Sequence, residues 1–201
     1  MIKTRSPFSS QIEAWLKSDQ PKTFNSVQEV FGEKGLAILV LLLMFLPALP
    51  LPTGGIVHGF EIITMLIAVQ MILGIEELWL PKRWRRKQLG DRTIKNAIPF
   101  MIRRIRWLER FSRPRMVGLT RNSNFGRLTG LVILIFTIAA FSAPPFSGLD
   151  TLPALGAVLV ALSIILEDII VFIIGVLVGI FGIGLSLTLG AAVVTLIKQL
   201  F

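Results

Sequence analysis

The residues of this chain best suited to do chemistry are ionisable groups that lie within or at the ends of long apolar runs. His58 and Glu61 are three residues apart, so a helix would place both on one face. Ionisable groups in membrane segments are costly and usually face a cavity or a partner. The pattern therefore predicts a polar cavity that binds a cation or a proton. Its candidate residues are Glu61, His58, Gln70, Glu76, Glu77, Asp150, Glu167 and Asp168.

Two interpretations of these acids remain open. Four acids lie at the ends of apolar runs: Glu76, Glu77, Glu167 and Asp168. They either line a cavity, or face lipid headgroups or pair with loop arginines such as Arg83 or Arg86. Glu61 lies a few residues inside its run and is the stronger cavity candidate. Gln70, in the middle of the same run, suits a hydrogen bond across a helix interface.

The sequence gives little support for an enzyme active site or a metal site. Sugar hydrolysis needs carboxylates around a polar substrate cleft, and the pattern provides no soluble domain to form one. The chain has one His and no Cys, which excludes thiol, zinc-finger and iron–sulfur sites. Gly54-Gly55 lacks the Lys that follows a phosphate-binding loop. We expect no enzyme, no cofactor and no metal site.

The elements that position these residues are apolar enough to be membrane helices. Of the 201 residues, 53% are hydrophobic and 16% are charged, against about 45–50% and 25% in a soluble domain. The composition predicts an all-α integral membrane protein with about five or six transmembrane or re-entrant helices in two repeated halves. Composition shifts divide the chain into 1–34, 35–81, 82–127 and 128–201.

The first segment, residues 1–34, is mixed in charge and predicts two short helices at the membrane surface. One runs through Gln11–Lys17 with its apolar residues on one face. The other is expected to start at Ser26, because Ser26-Val-Gln-Glu29 fits a capping box.

The third segment, residues 82–127, holds fifteen Lys/Arg and two acids. Apolar residues at helical spacing from Ile94 to Leu108 predict a basic amphipathic helix. It either lies in the membrane interface or packs on the cytoplasmic end of the bundle. The positive charge orients this segment and the N-terminus to the cytoplasm and favours anionic lipid headgroups over nucleic acid as partner. The headgroup candidates are Arg83, Arg85, Arg86, Arg103, Arg104 and Arg106.

An internal repeat is suggested by two similar breaks in the apolar runs. Pro50-Leu-Pro-Thr-Gly54 lies over Pro144-Pro-Phe-Ser-Gly148 at an offset of 94 residues. Each break separates two apolar runs, and an acidic pair closes each unit. Duplicated halves with broken helices are a recurring plan in secondary transporters. The break residues are Pro50, Pro52, Gly54, Gly55, Pro144, Pro145 and Gly148.

Residues 169–197 carry no charge. As one helix they would be about 44 Å long, beyond a bilayer core of about 30 Å, so we expect a hairpin broken at Gly182-Ile-Gly184. Gly175, Gly179 and Gly182 are spaced for close helix packing, either within the bundle or between the two chains of a predicted homodimer.

The chain resembles the ExoD family of bacterial exopolysaccharide-synthesis proteins over about residues 30–185. The matching features, whose order and spacing carry the resemblance, are Leu49-Pro-Leu-Pro52, Gln70-Met-Ile-Leu-Gly74, Trp79-Leu-Pro-Lys-Arg-Trp-Arg-Arg86, Arg106-Trp-Leu-Glu-Arg110, Arg113-Pro-Arg115 and Pro144-Pro-Phe. Two positions depart from it. Glu76-Glu77 and Glu167-Asp168-Ile169 stand where similar proteins commonly carry an arginine or another basic residue, so roles tied to those cations do not transfer.

The resemblance implies a multi-pass protein of the bacterial inner membrane that is tied to exopolysaccharide production, with assembly proteins as partners. It implies no established chemical activity. The preferred hypothesis is a small transporter or channel-like protein with its site between the two breaks. The alternative is a non-transporting scaffold of a polysaccharide assembly complex.

Overall fold

Eight α-helices form the described part of the chain. The structure is a computed structural model and describes residues 7–50, 56–75, 78–79, 88, 90, 94–95, 98–115, 123–144 and 147–200, with side chains to residue 189 except at positions 33, 56 and 123. The helices are α1 (Phe8–Lys17), α2 (Phe24–Phe31), α3 (Gly35–Met44), α4 (Ile56–Leu73), α5 (Ile98–Glu109), α6 (Ser123–Phe141), α7 (Thr151–Leu166) and α8 (Ile169–Leu200). The predicted all-α fold is confirmed.

Two of these helices are long and apolar enough to cross a membrane within the described residues. The candidate spans are Asn124–Phe141 in α6 and Ile169–Leu189 in α8. Three shorter apolar stretches, Gly35–Met44, Val57–Leu73 and Thr151–Leu166, accompany them. The total number of spans remains a prediction.

The short helix α3 lies at the centre of the bundle. Nine of its ten residues are buried, as expected of a helix that is apolar on every side. It packs against α4 and α7, while α6 packs against α4, α7 and α8. Helices α6 and α8 expose rows of large apolar side chains, among them Leu131, Ile135, Ile174 and Leu177. Such rows suit contact with lipid tails.

The two N-terminal helices pack against the bundle. Phe8, Ile12 and Trp15 of α1 are buried and belong to the same core cluster as α3, so protein covers the apolar face that we expected at the membrane surface. The predicted start of the second helix at Ser26 is wrong. Thr23 is the N-cap and Ser26 is its partner in the capping box: the Ser26 amide donates to Thr23 Oγ1, and the Thr23 amide donates to Ser26 Oγ.

The predicted amphipathic helix is present as α5, with Ile98, Met101, Ile102 and Ile105 buried. It packs against α1, and Arg106 forms an ion pair with Glu13 across that contact. Protein covers the apolar face of α5, which agrees with the interpretation that this helix packs on the rest of the protein.

The predicted break at Gly182-Ile-Gly184 is wrong, because α8 continues unbroken from Ile169 to Leu200. The glycines serve close packing instead. A Cβ built on Gly182 would lie 2.6 Å from Leu152 Cβ, and one on Gly156 would lie 2.6 Å from Gly179 Cα. Side chains there would force α7 and α8 apart.

Close packing between helices also explains why residues 175 and 179 are glycines. A Cβ on Gly175 would lie 2.9 Å from Leu159 Cβ, and one on Gly179 would lie 2.2 Å from the Phe136 ring. These glycines therefore face α6 and α7 of their own chain, and their use as a contact between two chains is wrong. The homodimer itself stays a prediction.

Candidate functional site

The predicted pair His58–Glu61 lies near the start of α4. The Glu61 side chain is fully buried, and His58 is about one third exposed. His58 Nδ1 lies 2.7 Å from Glu61 Oε2, within hydrogen-bond distance. The i, i+3 spacing on a regular helix produces this contact, as the sequence predicted.

Two residues from the second half of the chain lie close to this pair. The ring of Phe141, the last residue of α6, lies with its centroid 5.0 Å from that of His58. Asp150, which precedes α7, is close enough to interact electrostatically with Glu61. We call His58, Glu61, Phe141 and Asp150 the break-end cluster. It joins residues from both predicted repeats.

Glu61 is incompletely bonded in this cluster. Its Oε2 faces His58, whereas its Oε1 is buried and has no hydrogen-bond partner among the described residues. Asp150 makes no capping hydrogen bond through its side chain. A buried carboxylate oxygen without a donor is costly, and a bound proton, cation or polar solute would relieve that cost.

The described part of the second break lies in the loop that leads to Asp150 of this cluster. Helix α6 ends just before Pro144, and Gly148 adopts a positive φ of 69° in the turn that leads into α7. Pro50 follows the end of α3 and is exposed. The remaining break residues, Pro52, Gly54, Gly55 and Pro145, lie outside the described residues.

Gln70 does not join the break-end cluster. It lies nine residues beyond Glu61, which is about 14 Å along α4 at 1.5 Å per residue. Its Nε2 donates to Leu66 O at 3.0 Å, and its Oε1 accepts from the Trp79 amide at 2.6 Å. The predicted bond across a helix interface is therefore wrong, because Gln70 holds the chain that leaves α4.

A second polar group surrounds the turn between α7 and α8. Glu167 ends α7 in the left-handed region, with φ 56° and ψ 39°. Lys34 Nζ donates to Glu167 Oε1 at 2.7 Å and to Ile165 O at 2.9 Å. The lysine thus neutralises the acid and caps the end of α7. We call Lys34, Glu167, Asp168 and Arg115 the turn cluster.

Asp168 is the most fully bonded acid of the described chain. It accepts from Ser112 Oγ and the Arg113 amide at 2.9 Å, and from Arg115 Nη1 and the Ile170 amide at 3.0 Å. Burial alone raises the pKa of this carboxyl, but the bonds from the two amides, Ser112 and Arg115 outweigh it and hold the pKa below its usual range.

The predicted cavity acids thus divide into two groups at opposite ends of α7. The helix has 16 residues, so Asp150 and Glu167 are separated by about 24 Å. Glu167 and Asp168 pair with basic residues, as the second interpretation proposed, although the cations are Lys34 and Arg115. Glu76, Glu77, Arg83, Arg85 and Arg86 lie outside the described residues.

Lys34 and Arg115 were not among the predicted site residues. Lys34 is 133 residues from Glu167 in sequence, and Arg115 is 53 from Asp168, so no local spacing connects them. The Arg113-Pro-Arg115 motif was a signal for the second contact, since it is a conspicuous basic element in the middle segment.

A cavity of about 620 Å³ lies beside the turn cluster. Its wall includes Phe8, Phe31, Lys34, Glu109 and Glu167. Its charged groups are already engaged: Lys34 bonds to Glu167, and Glu109 accepts from the amide and the hydroxyl of Ser9. In the break-end cluster, by contrast, Glu61 Oε1 is buried without a hydrogen-bond partner among the described residues.

These features define the class of protein: a helical membrane protein with candidate spans and a buried acid–imidazole pair near the start of α4. Among the described residues, no group of three His, Cys, Asp or Glu side chains could hold a metal ion. The family model for exopolysaccharide synthesis, ExoD, matches residues 8–188. The chain belongs to the ExoD family, which is linked to exopolysaccharide synthesis.

Two curated relatives support this assignment. An uncharacterised protein of Synechocystis sp. is 30% identical over 147 residues, which are 70% of this chain and 66% of that protein. Protein ExoD of Rhizobium meliloti is 26% identical over 149 residues, 73% of this chain and 61% of the relative. The chain thus spans just under two thirds of the length of the relatives it matches. No solved structure matches.

Proposed function

We propose that this ExoD-family protein is a small transporter or channel-like protein of the inner membrane for an ion or polar solute, with its site at the break-end cluster. One observation carries the proposal: Glu61 is fully buried, yet its Oε1 has no hydrogen-bond partner among the described residues. A proton, cation or polar solute that binds and dissociates during transport would be the partner of this oxygen.

The chemistry of the cluster favours a positively charged or proton-donating partner. Glu61 and Asp150 are both acids, and His58 is the basic group in contact with Glu61. Because His58 is partly exposed while Glu61 is buried, the imidazole lies between solvent and the carboxylate. Backbone carbonyls freed where helices break add oxygen ligands of the kind that transporters use.

Reconstitution into liposomes tests this proposal. The purified protein should carry ion or proton flux under at least one imposed gradient, and Glu61→Gln should lower that flux because it removes the negative charge. Glu29→Gln is the matched control, since Glu29 is an exposed acid on α2 and its variant should keep wild-type flux. Silent vesicles under sodium, potassium and proton gradients, or equal flux from Glu61→Gln, would contradict transport.

The second candidate function is a non-transporting scaffold for polysaccharide assembly. Its supporting observation is that Arg103 and Arg104 are exposed on α5, a helix whose opposite face is buried; Arg106, the third candidate, pairs with Glu13 of α1. A scaffold predicts that neutralising these three arginines abolishes polymer production while Glu61→Gln leaves it intact.

The topology and assembly belong to the same proposal. The basic segment and the N-terminus would lie in the cytoplasm, since Lys and Arg accumulate on that side. The break-end cluster would then lie toward the outer face. A homodimer and contacts with exopolysaccharide assembly proteins would complete the arrangement.

A further inference from the structure

The outer face of α5 is aromatic and basic, and it lies opposite the face that packs on the bundle. Residues 100, 103, 104 and 107 recur at the three- and four-residue steps that place side chains on one side of a helix. Phe100 is 39% exposed, Trp107 58%, and Phe111, just beyond the helix, 68%. The Phe100 ring contacts that of Phe45, which follows α3, with the centroids 6.0 Å apart, so Trp107 and Phe111 form the more exposed aromatic part of this surface.

The rings and arginines of this surface are organised. The rings of Trp107 and Phe111 are in contact, with their centroids 5.1 Å apart and their planes tilted by 58°, and the Arg104 guanidinium lies 5.1 Å from the Phe100 ring centroid. The outer surface of α5 is defined here by Phe100, Arg103, Arg104, Trp107, Arg110 and Phe111.

Nearby acids are turned away from this surface. Glu109, the acid within α5, accepts from the amide of Ser9 at 3.0 Å and from its hydroxyl at 2.5 Å. Glu13 is engaged by Arg106 at the contact with α1. Within the part of the chain that the structure describes, Arg103 and Arg110 have no carboxylate partner. Among the described residues, no carboxylate therefore compensates the charge of Arg103 and Arg110.

We infer that the outer surface of α5 binds a membrane surface of anionic lipids. Arginines there would meet phosphate groups, and the indole of Trp107 suits the headgroup level. A second copy of the chain is a poor occupant, because a symmetric contact would bring like charges together. Lipid thus binds the basic outer surface of α5, and not the apolar face, which is buried against protein.

A fluorescent label on this surface tests the inference. The sequence has no Cys, so Trp107→Cys gives a unique site for an environment-sensitive fluorophore. The labelled full chain is placed in nanodiscs that contain either phosphatidylglycerol with phosphatidylcholine or phosphatidylcholine alone, and lipids with a headgroup-level spin label serve as quenchers. Quenching should be strong in the anionic discs and weak in the neutral ones.

Charge variants give the matched comparison. Replacing Arg103, Arg104 and Arg110 with Gln should lower the affinity for the anionic surface by on the order of tenfold or more, whereas the triple Lys variant should keep the quenching. Asp19→Cys, which labels an exposed turn after α1, should stay unquenched in both discs.

Three results would overturn the inference: no lipid quenching in anionic discs, equal quenching in neutral discs, or a label shielded from a water-soluble quencher without lipid quenching. The last result would indicate a protein partner. If Trp107→Cys fails to fold, as judged by thermal unfolding, Phe111→Cys carries the label instead, and the same outcomes apply.

Discussion

Two buried acids of this protein differ in how completely they are bonded. Asp168 is 1% exposed and accepts bonds from side chains and amides of two segments. Glu61 is 0% exposed and has His58 as its hydrogen-bonding partner. A saturated carboxylate stabilises a fold, whereas an unsaturated one is costly to keep without a role. This contrast supports a structural role for Asp168 and is the basis of the proposed site at Glu61.

Asp168→Asn should destabilise the protein. The amide cannot keep the ion pair with Arg115, and its NH2 group would face the donors that now surround the carboxylate. Leaving buried hydrogen-bond donors without their acceptor costs about 1–3 kcal/mol, and the ion pair adds little because the Arg115 side chain is 38% exposed, so the unfolding temperature in detergent should fall by several degrees. Asp19→Asn, at an exposed turn, is the control and should change little. Equal unfolding temperatures for the two variants would contradict this role.

The same residue should make stability depend on acidity. Because the pKa of Asp168 is lowered in the folded protein, its contribution is fully present above the unfolded pKa of about 3.9 and is lost as the pH falls through the lower folded pKa. Thermal unfolding measured from pH 6 down to pH 3 (an assay range chosen around that pKa) should therefore show a steeper loss in the wild type than in Asp168→Asn. Parallel curves would show that Asp168 does not ionise differently on folding.

At the residue scale, local spacing predicted the His58–Glu61 contact and could not predict the turn cluster. The first pair lies three positions apart on one helix, so helical geometry alone places it. The partners of Glu167 and Asp168 come from the turn just before α3 and from the segment after α5. Contacts of that kind follow from the packing of whole helices, which a single sequence does not display.

At the scale of elements, α8 shows how glycine can serve packing rather than a break. A helix tolerates Gly at a cost of about 1 kcal/mol relative to Ala, and close contact with α7 compensates for that cost. The length argument for a hairpin failed because α8 is one helix from Ile169 to Leu200, and a helix longer than the bilayer core can tilt or extend beyond it.

A pair of glycine substitutions tests this packing. Gly156→Ala should destabilise the protein, because its Cβ would lie 2.6 Å from Gly179 Cα, and overpacking costs about 1–3 kcal/mol. Gly184→Ala is the matched control in a helix interior, since a Cβ there meets nothing within 4 Å. It should stabilise the protein by up to about 1 kcal/mol. Thermal unfolding that ranks the variants in the opposite order would contradict a continuous, closely packed α8.

At the scale of the whole molecule, composition predicted the helical class of fold, and the internal repeat stays a prediction. The sequence left open whether protein or lipid covers the apolar face of α5, and it did not predict that protein covers that of α1. An amphipathic pattern is the same whether lipid or protein covers the apolar face.

The most direct test of the central claim, that Glu61 is where this protein acts, is exopolysaccharide output in cells whose only copy carries Glu61→Gln. The account predicts that output falls to the level of cells without the protein, at equal amounts of protein in the membrane, because the site no longer binds its ion or solute. Glu29→Gln should keep wild-type output. Wild-type output from Glu61→Gln cells would contradict the account and favour the scaffold.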